Sequence, residues 1–212
     1  MNSLLKQSLA GLRVLIVLTV LTGVLYPFGV WLVSRLPGLQ ANAEGSVVTV
    51  DGTAAGSDLI GIDPVAADPA HDPWFHNRPS AVALDLDGDG SPDVLGPADP
   101  STSGGSNKGA FDEDLAATIQ LRKDIIAERE GVAPARVPAD AVTASASGLD
   151  PMISPAYADL QVPRVARENG LSDERVRRLV AEHTGGRGLG VVGEPGVHVL
   201  GLNLAVLAAS RS

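Results

Sequence analysis

No cysteine occurs among the 212 residues, which excludes a disulfide framework, a thiolate metal site and a cysteine nucleophile. Aromatic residues are scarce, seven in all, and only Trp74, Phe75, Phe111 and Tyr157 lie beyond residue 43. Any core in that region must therefore be mainly aliphatic. Basic residues are also short, with 16 Lys and Arg against 25 Asp and Glu and a net charge of −9. Phosphate backbones are gripped by clustered bases that this chain does not have to spare, so a nucleic-acid binder is excluded. No Gly-x-Ser-x-Gly elbow presents a serine, the four histidines lack zinc-binding spacing, and no Lys-Ser or Lys-Thr completes a phosphate loop after Ser103-Gly104-Gly105-Ser106-Asn107-Lys108-Gly109. An enzyme reading is disfavoured, because no base and nucleophile pair can be identified.

What is present is unevenly distributed. Residues 1–43 hold Lys6, Arg13 and Arg35 and no acid, so residues 44–212 carry 13 bases against 25 acids, a balance of −12. Val14 to Ser34 is a run of 21 uncharged residues, mostly Leu and Val. As a helix rising about 1.5 Å per residue it spans roughly the 30 Å of a bilayer core. Tyr26, Phe28 and Trp31 cluster at its end, where amphipathic rings favour the headgroup level, and Pro27 beside them is tolerated in a lipid-buried helix. Gly11, Gly23 and Gly29 are small enough to admit a partner helix. Bases precede the run and only Arg35 follows it before Arg78, which predicts a cytoplasmic segment 1–13, a membrane helix 14–34 with outer limits near 9–35, and an extracytoplasmic domain 44–212. Ala41-Asn42-Ala43 has the small-x-small pattern of a signal cleavage site, but the apolar run exceeds a signal core and favours a retained anchor.

The pattern beyond the anchor predicts an α+β domain. Val47–Val50 reads as a strand closed by Asp51-Gly52, and 59–62 as a neighbouring strand. Residues 63–109 read as loop. Phe111 to Glu130 reads as a helix with Phe111, Leu115, Ile119 and Ile126 on one face, acids at its start and Gly131 at its end. A second helix runs from Ser172 as N-cap to His183, and 189–192 with 197–200 reads as a closing strand pair. Asp85, Asp87, Asp89 and Asp93 occupy positions 1, 3, 5 and 9 of a loop with Gly90 at position 6, the oxygen spacing of a Ca²⁺ loop. Gly96 stands at position 12 in place of the bidentate Glu and no helical pattern flanks the segment, so a solvated acidic loop and a weak Ca²⁺ site are both open readings. Val142 to Pro155 contains short hydroxyl residues, a Leu-Asp-Pro turn and an Ile-Ser-Pro helix entry, the makings of a rigid, closely packed loop.

At this stretch the chain closely resembles the C subunit (KdpC) of the Kdp potassium-transporting P-type ATPase. The resemblance extends to Gly56–Gly61, Phe75-His76-Asn77-Arg78-Pro79-Ser80, Ser103–Asn107, Gln161-Val162-Pro163-Arg164-Val165-Ala166, Gly193-Glu194-Pro195 and Leu200-Gly201-Leu202-Asn203, in the family's order. Two features depart from it: residues 84–100 are longer and more acidic than the usual link, and His198 stands where Asn is usual. The resemblance implies a non-catalytic accessory subunit of a high-affinity ATP-driven potassium importer, needed for assembly. Its partners would be a channel-like potassium-translocating subunit and a P-type pump subunit that carries the hydrolytic site. ATP and K⁺ would be used by the complex, with no cofactor firmly bound to this chain. The family is described as a catalytic chaperone that raises the pump's ATP affinity, which makes Gln161 a candidate nucleotide contact. Arg78, Ser145, Ser147, Gly148, Asp150, Arg164 and Asn203 are candidate structural or interface residues. A free-standing anchored module using the acidic loop for Ca²⁺ is the alternative reading.

Overall fold

The computed structural model describes residues 3–211, which divide into two compact units meeting near residue 47. The first is dominated by one helix of 32 residues, Ser3–Ser34, long and apolar enough to cross a membrane and with none of its most apolar stretch buried. It comprises α1 (Ser3–Val20), a π turn (Leu21–Leu25) and α2 (Tyr26–Ser34). The π turn has a local cause. Pro27 has no N–H to continue the α-helical ladder, and the chain widens just before it, with the Tyr26 N–H bonding back five residues to the Leu21 carbonyl. Phe28 stacks on Trp31 at 5.8 Å, and the Arg35 guanidinium lies 5.4 Å from the Trp31 ring. After the short α3 (Gln40–Ala43), Glu44 closes back on Arg35 at 2.6 Å. The uncharged run 14–34 lies within this longer helix, which also takes in Lys6 and Arg13.

The second unit is α+β, as the pattern predicted. β1 (Val47–Val50) and β2 (Thr53–Ser57) form a hairpin across Asp51 and Gly52, both at positive φ, as a type I′ turn requires. The expected strand at 59–62 is replaced by β2 and a single bridge between Ser57 and Ile60. Gly61 is unavailable for a ladder because it lies flat against another segment. Its N–H bonds the Leu149 carbonyl at 2.9 Å, and a Cβ there would collide with the Asp150 carbonyl oxygen.

From residue 58 to 112 the chain is largely irregular, with one 3₁₀ turn at Pro69–His71. α4 (Glu113–Glu130) starts where the Asp112 carboxylate accepts the Leu115 N–H and ends at left-handed Gly131. Its inner face carries Ile126 and Ala127 and also Arg122, while Phe111 precedes the helix and is 99% exposed, contrary to the expected apolar face. After α5 (Ala139–Val142) and β3 (Met152–Ile153) comes the central α6 (Pro155–Glu168), capped by Ser154 and buried over most of its length. Pro163 sits on the exposed side of α6, where the Asp159 carbonyl it leaves without a donor can be hydrated. α7 (Asp173–Glu182) follows, with Ser172 as N-cap and His183 as C-cap, as expected.

β4 (Thr184–Gly185) and β5 (Gly196–His198) complete a small antiparallel sheet of order β3-β5-β4, with Ile153 opposite Val197 and Thr184 opposite Val197 on the other side. This replaces the expected pairing of 189–192 with 197–200. Residues 188–192 instead make a tight turn with Leu189 almost wholly exposed, and from Val199 the chain becomes α8 (Val199–Ser210). The core gathers around α6 and is mainly aliphatic: Val162, Val165, Val176, Val197 and Leu202 are sealed, with Phe75 and Tyr157 as its only aromatic members among the described residues.

Candidate assembly module and its buried polar hub

Two polar constellations hold the irregular segment 58–112 against the helices. The first is centred on Arg164 of α6, which is 4% exposed. Its Nε donates to both oxygens of Glu130 at 3.1 and 3.0 Å, and Nη1 donates to the carbonyls of Asp72 at 2.7 Å and Trp74 at 2.9 Å. Nη2 reaches the Gln161 carboxamide oxygen at 3.2 Å. The Glu130 side chain is wholly buried and also receives Arg129 at 2.8 Å, whose other end donates to the Tyr157 hydroxyl at 3.0 Å. Burial disfavours the Arg129 charge, but Tyr157 and Glu130 outweigh it and raise its pKa.

Gln161 and Asn203 act as side-chain stand-ins for a neighbouring strand. The Gln161 oxygen accepts the His76 N–H at 2.8 Å and its amide donates to the His76 carbonyl at 3.2 Å. Asn203 does the same for Phe75, at 2.8 and 2.9 Å. Two successive peptide units buried without a sheet partner are thereby satisfied, which is what burial demands of them. Asp72 and His76 close the hub. The Asp72 carboxylate bonds His76 Nε2 and lies 3.4 Å from Arg164, and His76 Nδ1 meets Asp63 at 3.1 Å. Burial pushes the Asp72 carboxyl up, but the His76 hydrogen bond, its charge and that of Arg164 win, holding it at about 2.

The second constellation is the hydroxyl loop 143–150. Arg78 donates to Asp150 at 3.1 Å and to the Thr143 carbonyl at 3.3 Å, while its Nε is buried without a partner. Asp150 in turn accepts the Met152 N–H at 3.0 Å. Ser145 is buried, with its N–H on the Pro79 carbonyl at 3.0 Å and its hydroxyl 3.4 Å from that of Ser147. The Ser147 carbonyl accepts the Gly104 N–H and the Ser103 hydroxyl. Gly148 has a φ of +73°, and a Cβ there would stand 2.6 Å from Val82 and 2.8 Å from the Gly104 oxygen. Only glycine satisfies both the backbone angle and the approach.

The candidate residues thus fall into separate places. Arg164, Gln161 and Asn203 meet in the hub, whereas Arg78, Ser145, Ser147, Gly148 and Asp150 build the neighbouring loop. Gln161 is 0% exposed with its oxygen doubly engaged, so a nucleotide would reach it only by displacing the segment around His76. Asp85, Asp87 and Asp89 bring ligand-type oxygens within 4.8 Å of one another, all three exposed. Asp93 is not part of that group and accepts the Leu86 N–H instead, at 3.3 Å. The N–H groups of Gly90, Gly88 and Asp89 all bond the Asp85 carboxylate and lower its pKa, so the loop is closed by its own backbone.

Glu130, Asp72, Asp63 and Arg129 escaped the reading of the sequence. One signal was there: an acid at the last position of α4 faces the negative end of the helix dipole, which is unfavourable unless a cation holds it.

A membrane-length helix followed by an α+β domain whose polar side chains are spent on its own backbone defines a class, the small helix-tethered module that offers a rigid surface. The chain belongs to the family described as KdpC, K⁺-transporting ATPase, c chain, whose model matches residues 8–208. A potassium-transporting ATPase KdpC subunit of Kineococcus radiotolerans is 46% identical over 210 residues, covering 99% of this chain and 97% of that protein. The KdpC subunit of Streptomyces coelicolor is 44% identical, covering 93% and 90% of the two chains, and that of Rhodopseudomonas palustris is 43% identical, covering 97% and 100%.

Proposed function

We propose that this chain is a non-catalytic accessory subunit of an ATP-driven potassium importer, assembled with a channel-like potassium-translocating subunit and a P-type pump subunit that carries the hydrolytic site. The helix 3–34 is retained as an anchor, its N-terminus is cytoplasmic, and the acidic domain stands outside the cell membrane. The basic flank of Lys6 and Arg13 supports that orientation. The observation that carries the reading is the Arg164 hub, in which buried donors and acceptors that resemble family blocks converge on one another instead of on an open reactive pocket.

An effect of such a domain on nucleotide affinity is transmitted through the partner as a coupling free energy, on the order of 1–3 kcal/mol. Gln161 contributes by fixing the backbone at His76, without touching ATP. The charge of the outer domain adds a second effect, since −12 beside a pore mouth concentrates K⁺ at low salt. Deleting the chain from cells tests the reading: potassium uptake at low external K⁺ should be lost and restored by a plasmid copy. Full uptake without it would overturn the proposal.

A further inference from the structure

A narrow turn between β4 and β5 holds three apolar side chains out in water. Leu189, Val191 and Val192 are 98%, 76% and 64% exposed. Apolar groups of this size exposed together mark a surface that another surface covers. The turn that carries them is built, not slack. Leu189 and Gly190 both have positive φ, as a type I′ turn requires, and the Val191 N–H closes it on the Gly188 carbonyl at 3.1 Å. The Gly188 N–H donates to the Val192 carbonyl at 2.8 Å, the Val192 N–H returns to the Gly188 carbonyl at 2.9 Å, and Arg187 meets Glu194 at 2.8 Å across the stem. Asn, Asp or Gly ordinarily takes the first central position of such a turn, and a leucine is strained there at a φ of +52°. The stem holds that strain for a side chain that gains no cover from its own domain.

The stem borders an open cleft of about 580 Å³ lined by Arg78, Asp140, Asp150, Ser154, Glu194 and Pro195. All of these but Asp140 come from three stretches that carry the family resemblance. The charges here are engaged with one another. Arg78 is paired with Asp150 at 3.1 Å and Arg187 with Glu194, while the Asp140 carboxylate accepts the N–H and the hydroxyl of Ser154, both at 2.9 Å. Two bases stand against three acids, so no positive charge is left over beside the tip.

That balance decides between the surfaces that could receive it. A tip entering lipid is helped by cationic flanks and by Trp, Tyr or Phe, and this one has neither a spare cation nor an aromatic ring. Two such tips pairing with each other would bury far less than the roughly 800 Å² per partner of a stable dimer. A closed, left-handed loop with three aliphatic side chains is matched instead to a preformed apolar pocket on a protein, because no ordering of the loop opposes the docking. We propose that Leu189, with Val191 and Val192 beside it, seats in an apolar pocket of a larger membrane subunit of the transport complex. The proposal rests on the accessory-subunit reading and specifies one contact of it. A contact this small is sufficient for a chain whose membrane-length helix keeps it in the same bilayer as its partner, since tethering raises the effective concentration.

The test places a photoreactive benzophenone amino acid at position 191 of the full-length chain and irradiates native membranes before the complex is purified. A covalent link to one of the larger subunits that copurify with the wild-type chain is expected. Links to lipid alone, to a second copy of the chain, or to nothing would overturn the contact. Leu189→Asn supplies the quantitative arm. Asn adopts left-handed backbone readily, so this variant should melt no lower than wild type, yet on dilution in detergent it should leave the larger subunits about ten times faster. Release at the wild-type rate would overturn the contact, and a lowered melting midpoint would do so too by showing that Leu189 packs within its own domain. The accessory-subunit reading survives if the wild-type chain copurifies and only these results fail; a wild-type chain that purifies alone overturns both.

Discussion

Arg164 shows how much a single side chain can hold when every donor has an acceptor. Its removal by Arg164→Ala leaves the wholly buried Glu130 side chain with Arg129 as its one remaining cation and strips the Asp72 and Trp74 carbonyls of their donor. Breaking a buried pair in this way costs about 3–5 kcal/mol, and urea unfolding of the chain should read a loss of that order. A loss below about 1 kcal/mol would mean the hub is loosely held. Asp72 adds a pH dependence of definite sign. Its carboxyl sits at about 2 against an ordinary value of 3.8, so its ionised form stabilises the fold at every pH above the ordinary value. That contribution, about 2 kcal/mol, is lost as the pH falls from about 4 towards 2. Asp72→Asn should flatten the stability profile over that window, and an unchanged acid limb would show that Asp72 is not held as described.

At the level of elements, local chemistry made some of the fold legible in the sequence. Asp51-Gly52 specified the hairpin turn, Asp112 and Gly131 bracketed α4, Ser154-Pro155 opened α6, and Ser172 opened α7. Each of these signals lies within a few residues of the structure it sets. What could not be read was set at a distance. β5 takes its partners from residues 152–153 and 184–185, so the apolar run at 189–192 beside it was a false partner. Helix α8 was hidden because its cap is His198, whose ring accepts the Gly201 N–H, where a Ser, Thr, Asp or Asn would have announced a start. The same held for the site: resemblance pointed to Arg164, Gln161 and Asn203, but the partners they meet, Glu130 and Asp72 for Arg164 and the His76 and Phe75 backbone for the two amides, lie 34 to 128 residues away in sequence.

His198 also settles what its replacement should do. His198→Asn replaces the capping ring nitrogen with a capping oxygen and should leave stability unchanged or improved, whereas His198→Ala should cost about 1 kcal/mol in urea unfolding. Equal stability of all three would remove the cap from the account. The acidic loop is the counterexample of an element with little to hold. Its carboxylates are exposed and Asp85 is occupied by backbone N–H groups, so calorimetry should find Ca²⁺ binding no tighter than about millimolar. Replacing Asp85, Asp87 and Asp89 together by Asn should leave potassium uptake intact, and micromolar Ca²⁺ affinity would show the loop to be a site in its own right.

For the molecule as a whole, two compact units divide the work. One is a helix with no buried stretch, available to lipid or to other helices, and the other is a domain stiffened by the Arg164 hub and the Gly148 loop. The proposed orientation makes protease added to intact spheroplasts digest residues 48–212, and protection of that domain would reverse the topology. The central claim is that this chain works as part of an assembly without performing its chemistry. Purification of the tagged chain from native membranes in mild detergent, followed by an ATPase assay of the complex and of the separated chain, tests it most directly. The account predicts that two larger membrane proteins copurify and that potassium-stimulated hydrolysis belongs to the complex alone. A chain that purifies without partners, or that hydrolyses ATP once separated from them, would contradict it.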